Sequence, residues 1–253
     1  MMNTANNSPR DRLIFALDVG GGLEEALSWV DRLWDHVGLF KVGKESFVGY
    51  GTEIVRQIHA RGGKVFLDLK FHDIPNTVAR AAEAACGLRV AMFNLHALGG
   101  MRMMTETVGA VRRFAERSAE KPPVILAVTV LTSLNDDDLK ILGFNGGTRE
   151  TALHLARLAQ DAGVSGVVAS AEDAAAIRKA CGDPFWIVTP GIRGAKEVAG
   201  EDQKRIVTPA EAVSSGADYL VVGRPIRQAA DPAGEADAIT EEIVRGLALR
   251  KGR

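Results

Sequence analysis

The sequence predicts an α/β protein folded as one single-domain (β/α)8 (TIM) barrel, and three observations lead there. Short, nearly unbroken apolar runs alternate with helix-length segments from one end of the chain to the other. Eight such runs are present. The 253 residues contain no linker and no break in composition, and a barrel of this class typically takes about 250 residues.

The start, MMNTANNSPRD, is polar and has no apolar stretch behind a basic head, so residues 1–11 read as a disordered tail and not a signal peptide. Residues 12–253 then form the barrel domain. The first strand candidate is Leu13–Val19, followed by the turn Gly20-Gly21-Gly22 and a helix over Leu23–Val37, with Leu23, Leu27, Val30 and Leu33 on one stripe. An open dinucleotide-binding sheet would carry its last fingerprint glycine where Glu25 stands, which argues against that fold. Leu39–Gly43 is the second strand and Thr52–Arg61 its helix, stopped by Gly62. Lys64–Lys70 with Asn76–Cys86, Ala91–His96 with Met101–Arg117, and Val124–Thr132 with Thr151–Ala162 continue the alternation. Gly166–Ser170 with Glu172–Ala180, Phe185–Ile192 with Ala210–Ser215, and Tyr219–Gly223 with Glu235–Arg250 complete it. Strands that read as continuous apolar runs are those of a parallel sheet covered by helices.

Composition narrows the function. A formal net charge of −1, with 25% charged residues, offers no general attraction to nucleic acid or to anionic membranes. No run approaches the roughly 18 apolar residues of a membrane span. Cys86 and Cys181 stand far apart, without metal or redox spacing, as two free thiols suited to a reducing cytoplasm.

The working residues of such a barrel lie at the carboxyl ends of its strands. Strand one ends in Asp18, strand two carries Lys41 in FKVGKESF, and strand three ends in VFLDLKFHDIPNTV with Asp68, Lys70, His72 and Asp73. Strand five ends in Thr132-Ser133, strand seven in TPGIR with Arg193, and strand eight in VVGRPI with Gly223 and Arg224. Asp68 and Lys70 are two positions apart on a strand, so their side chains share a face. Alone, that pair fits a structural ion pair as well as a catalytic one. Asp18 and Lys41 at neighbouring strand ends tilt the reading toward catalysis. A phosphate seat between the loops after strands seven and eight is common in barrels; here those loops carry Arg193 and Gly223-Arg224, and the polar segment Gly194–Lys204 has the character of a lid.

The run DLKFHDIPNT resembles the signature of the orotidine 5′-phosphate decarboxylase family. The ordered set LDV, FKVGKE, NLHALGG, VTVLTS, TPGIR, DQKRIVTP and VVGRPI is similar to its bacterial branch, from Leu17 to about Ile226. The resemblance implies a cofactor-free, metal-free enzyme releasing carbon dioxide from orotidine 5′-phosphate, the last step of UMP biosynthesis. It also implies a cytoplasmic homodimer whose sites lie at the interface. Lys41, Asp68 and Lys70 would come from one subunit and Asp73 from the other, as a Lys-Asp-Lys-Asp array, with Thr77 crossing the same interface. Asp18 and Lys41 would bind ribose hydroxyls, Thr132 the pyrimidine, and Arg193, Gln203, Gly223 and Arg224 the phosphate. Ile74 is carried with them as a substrate-binding position. No electron-sink cofactor takes part, so charge left on the ring carbon must be met by fixed groups, with Lys70 as electrostatic partner and acid.

Two other readings stay open on the residues. A sister barrel with a similar Asp-x-Lys-x-x-Asp strand would act on a sugar phosphate with magnesium, but strand two then offers Lys41 where a metal wants a carboxylate, and Glu45 lies beyond the strand. A silent barrel that only binds a nucleotide leaves the strand-three charges unexplained. Of the remaining histidines, His36, His59 and His154 read as structural or peripheral, His96 ends strand four, where it either packs or lines the mouth, and His72 is given no chemistry.

Overall fold

The computed structural model describes residues 8–192 and 207–251. Its eight parallel strands close into a barrel in chain order: β1 (Leu13–Ala16), β2 (Leu39–Gly43), β3 (Val65–Phe71), β4 (Met92–His96), β5 (Val124–Val128), β6 (Gly166–Val168), β7 (Trp186–Pro190) and β8 (Tyr219–Val222). The expected fold class is therefore the observed one. Within it the chain divides into two compact units, one reaching Val65 and resuming at Thr189, the other Phe66–Val188.

In the first unit β1 lies between β2 and β8, with Phe15 opposite both Phe40 and Val222. Leu13, Ile14, Phe15, Val42 and Leu220 are wholly buried, as strands covered on their outer faces require. Gly20, Gly21 and Gly22 all have positive φ and carry the chain from β1 into helix α1 (Leu23–Leu33), whose buried stripe includes Leu27, Val30 and Leu33. Helices α2 (Lys44–Tyr50), α3 (Glu53–Ala60), α9 (Pro209–Ser214), α10 (Arg224–Arg227) and α11 (Pro232–Lys251) complete the unit. Residues 8–11 of the expected tail are structured: Pro9–Arg12 form a 3-10 turn, and Arg10 pairs with Asp35.

The second unit holds β3 to β7 with α4 (Pro75–Gly87), α5 (Gly100–Ser118), α6 (Asp136–Ile141), α7 (Thr148–Asp161) and α8 (Ala171–Cys181). Phe66, Leu67, Phe93, Leu126 and Val167 form its strand core. Pro75 at the first position of α4 supplies the helical φ that starts a helix, so the chain leaves β3 through His72, Asp73 and Ile74 and turns at once. Gly62, Gly163 and Gly216, expected as helix stops, all have positive φ.

Both cysteines are free and buried, and burial pushes the Cys86 thiol up to about 11. No described helix is long and apolar enough to cross a membrane.

Candidate active site

In the first unit the charges gather where β1, β2 and β8 end. The Lys41 ammonium donates to Asp18 Oδ2 at 2.6 Å, with Lys41 buried and Asp18 partly open. A buried cation stays charged at tolerable cost when it is paired in this way. Gly43 makes the room: a Cβ there would come within 2.5 Å of Asp18 Oδ1 and 2.9 Å of Lys41 Nζ. The chain around Asp18 is pinned from two sides, since Arg227 donates to the Asp18 carbonyl (2.6 Å) and the Ser46 hydroxyl to the Leu17 carbonyl (2.7 Å). Gly223 directly follows β8 and Arg224, exposed, opens α10.

In the second unit β3 does not run out regularly. Its register against β4 slips between Leu67 and Phe71: four steps along β3 match two along β4, from Phe93 to Leu95. Within the bulge Lys70 takes a left-handed backbone, φ 54°, which costs about 1–3 kcal/mol for a residue with a Cβ and persists only where its surroundings hold it. Lys70 Nζ donates to Asp68 Oδ1 at 2.6 Å, and the Asn94 amide donates to the same oxygen at 2.7 Å. The Asn94 carbonyl oxygen accepts the Lys70 backbone N–H at 2.8 Å. Asp68 and Asn94 are buried, while the Lys70 side chain is partly open. Such an arrangement holds an ammonium at a fixed place beside a desolvated carboxylate, ready for negative charge that develops nearby.

Past the strand, the Asp73 carboxylate accepts its neighbour's N–H, Ile74 N to Asp73 Oδ1 at 2.6 Å. Asp73, Ile74 and Thr77 are all exposed in the single chain. His72 and His96 lie with ring centroids 5.3 Å apart. Among the described residues no three His, Cys, Asp or Glu side chains group as a metal ion would need.

The orotidine 5′-phosphate decarboxylase / HUMPS family model matches residues 11–239. The chain belongs to that family. It is 63% identical over 246 residues, 97% of this chain and 98% of the relative, to the orotidine 5′-phosphate decarboxylase of Syntrophus aciditrophicus. It is 52% identical over 237 residues, 94% of this chain and 98% of the relative, to that of Geotalea daltonii. Among solved structures, the orotidine 5′-phosphate decarboxylase of Lactobacillus acidophilus superposes with a TM-score of 0.80 at 36% identity, covering 91% of this chain and 98% of that one.

Of the residues singled out from this family's motifs, Asp18 pairs with Lys41 and Asp68 with Lys70. Strand alternation does not bring Asp68 and Lys70 together across a regular strand; a bulge with a left-handed Lys70 does. Thr132 is also displaced from its expected place, because β5 stops at Val128 and Thr132 lies exposed in the following turn. Thr129 ends the ladder by turning its N–H and hydroxyl to the Val168 carbonyl, both at 3.2 Å. Arg193, Gln203 and the segment Gly194–Lys204 lie outside the described residues. Sequence reasoning passed over Gly43, Arg227 and Asn94. Asn94 stood in the quoted run NLHALGG, and a buried amide two positions before His96 on an otherwise apolar strand was the available signal.

Proposed function

We propose that this chain converts orotidine 5′-phosphate to uridine 5′-phosphate and carbon dioxide without metal or cofactor, as the last step of de novo pyrimidine biosynthesis in the cytoplasm. The observation that carries the reading is the fixed Lys70 ammonium on Asp68 at the end of β3, inside a motif run of this family. When the bond from the ring carbon to the carboxylate breaks, its electron pair stays on the ring carbon. Lys70 faces that carbon, stabilises the charge as it forms, and donates the proton that replaces the lost group. Asp68 sits beside the departing carboxylate, where two like charges about 4 Å apart repel by roughly 4 kcal/mol at an intermediate dielectric. Loss of neutral carbon dioxide relieves that repulsion.

Substrate is held away from the bond that breaks. Asp18 and Lys41 take the ribose hydroxyls and Thr132 the pyrimidine. Gly223 and Arg224, with Arg193 and Gln203, take the phosphate. A second protomer contributes Asp73 to complete the charge array, with Thr77 reaching the ribose and Ile74 lining the same side. These assignments rest on the family resemblance, and the exposure of Asp73, Ile74 and Thr77 in one chain accords with a role across an interface. Binding energy from the remote phosphate then lowers the barrier as well as improving affinity.

The test is loss of orotate absorbance on mixing protein with orotidine 5′-phosphate in excess chelator. Wild-type protein turns over under these conditions, and Lys70→Ala falls by at least the about 10²–10⁴-fold that general acid catalysis contributes. An inactive wild type, or one that needs magnesium, overturns the reading and moves a sugar phosphate to the front.

A further inference from the structure

The left-handed Lys70 raises the question of what holds it there. Inside the bulge its backbone N–H has turned to a side chain, the Asn94 amide oxygen, 2.8 Å away. Because an N–H can only donate, the atom facing it must be the amide oxygen, and the NH2 is left to point at Asp68 Oδ1, 2.7 Å away. Asn94 is 1% exposed, so water does not substitute for either bond. One neutral side chain thus ties down both the backbone that aims the Lys70 side chain and the carboxylate that its ammonium grips. Few side chains do this. A carboxylate would set a like charge against Asp68, an aliphatic group would strand both partners, and a longer amide would not fit between two contacts this short.

From this geometry we infer that Asn94 is a positioning residue for decarboxylation, holding Lys70 and Asp68 in register with the reacting carbon without touching substrate. The inference rests on the functional reading above. Its consequence is a split between binding and turnover. The groups assigned to ribose and phosphate lie elsewhere in the chain, so losing Asn94 leaves ground-state binding in place and misaligns the acid. Misplacement of a reacting group by about 1 Å costs on the order of 10²-fold in rate.

Two variants test it, each with kcat, KM and the affinity for uridine 5′-phosphate measured per folded site. In Asn94→Ala, kcat falls by on the order of 10²-fold, while KM and nucleotide affinity stay close to wild type. Asn94→Asp keeps the shape and the acceptor for Lys70 N–H but offers Asp68 a carboxyl, which can donate only when protonated. Its kcat relative to wild type therefore rises as pH is lowered. The charged or titratable groups around that site are Asp68 and Lys70 on β3 and His96 on its own strand, while β5 faces it with Leu126, flanked by Ile125 and Ala127. A kcat per folded site equal to wild type in either variant overturns the inference, as does a loss that falls equally on nucleotide binding or a pH profile parallel to wild type in Asn94→Asp. If Asn94→Ala does not fold, Asn94→Asp decides alone. An inactive wild type refutes the proposed function, whereas an active wild type with an unaffected Asn94→Ala refutes only this role.

Discussion

Burial pushes the Asp173 carboxyl up to about 6, with Arg149 pulling the other way and Glu172 adding to the rise. It stands in the first turn of α8, just past β6, where a helix N-terminus ordinarily favours an anion. Desolvation outweighs that preference. The folded chain therefore holds this proton more tightly than the unfolded chain, in which a carboxyl titrates near 3.9. The stability that the proton contributes is fully present below about pH 3.9 and is lost as pH rises through about 6; the carboxyl is only partly buried, so solvent screening holds the change to about 1 kcal/mol. Asp173→Asn removes the titration. Against wild type the variant should unfold at higher temperature at pH 7.5, with the advantage vanishing near pH 4. An advantage that does not vary with pH would show that Asp173 is not the titrating group.

Gly166 shows how the elements set their own spacing. It pairs with Trp186 across β6 and β7, and a Cβ at position 166 would lie 2.3 Å from the Trp186 carbonyl oxygen. Backbone cannot rotate out of the way as a side chain can, so Gly166→Ala should cost at least the upper part of the about 1–3 kcal/mol typical of overpacking. A lower urea midpoint with an unchanged slope is the expected result, and an unchanged midpoint would mean that the two strands part at no cost. That contact was not legible beforehand, because it depends on which strand lies alongside. The strands themselves were legible, since apolar runs such as Leu39–Gly43 carry their own signal. Their ends were not: Val130 and Leu131 extend the apolar run after β5, although the ladder closes at Thr129 and Val168. Helix α2 went unseen because it starts at Lys44 directly after β2, with no capping side chain to announce it. Helix α6 did announce itself, through Asn135 and Asp138 in a reciprocal capping box, and was overlooked among the acidic residues Asp136, Asp137 and Asp138. The bulge in β3 was out of reach, because its cause, Asn94, sits on another strand.

At the scale of the molecule, Asp73 and Ile74, which follow β3, are exposed in the single chain. Ile74 is 66% exposed, and Leu98, Met101 and Leu131, past the ends of β4 and β5, are exposed large apolar groups as well. On the proposed function, the apolar side chains at the exits of these three consecutive strands belong to a surface that another molecule covers. If that molecule is a second copy, as the functional reading holds, each site draws Lys70 from one protomer and Asp73 from the other. A two-fold dimer then has two equivalent sites, and defects in the two residues can be sorted onto one of them. Lys70→Ala and Asp73→Ala should each be nearly inactive alone. Unfolded together and refolded as a mixture, half of the dimers are mixed, and each mixed dimer has one site with both substitutions and one with neither. The mixture should therefore recover about a quarter of the wild-type activity. Recovery tracks the fraction of mixed dimers and falls on dilution below the dimer dissociation constant. A mixture as inactive as its components would place Lys70 and Asp73 of one chain in the same site, and the exposed face at Ile74 would then need a different partner.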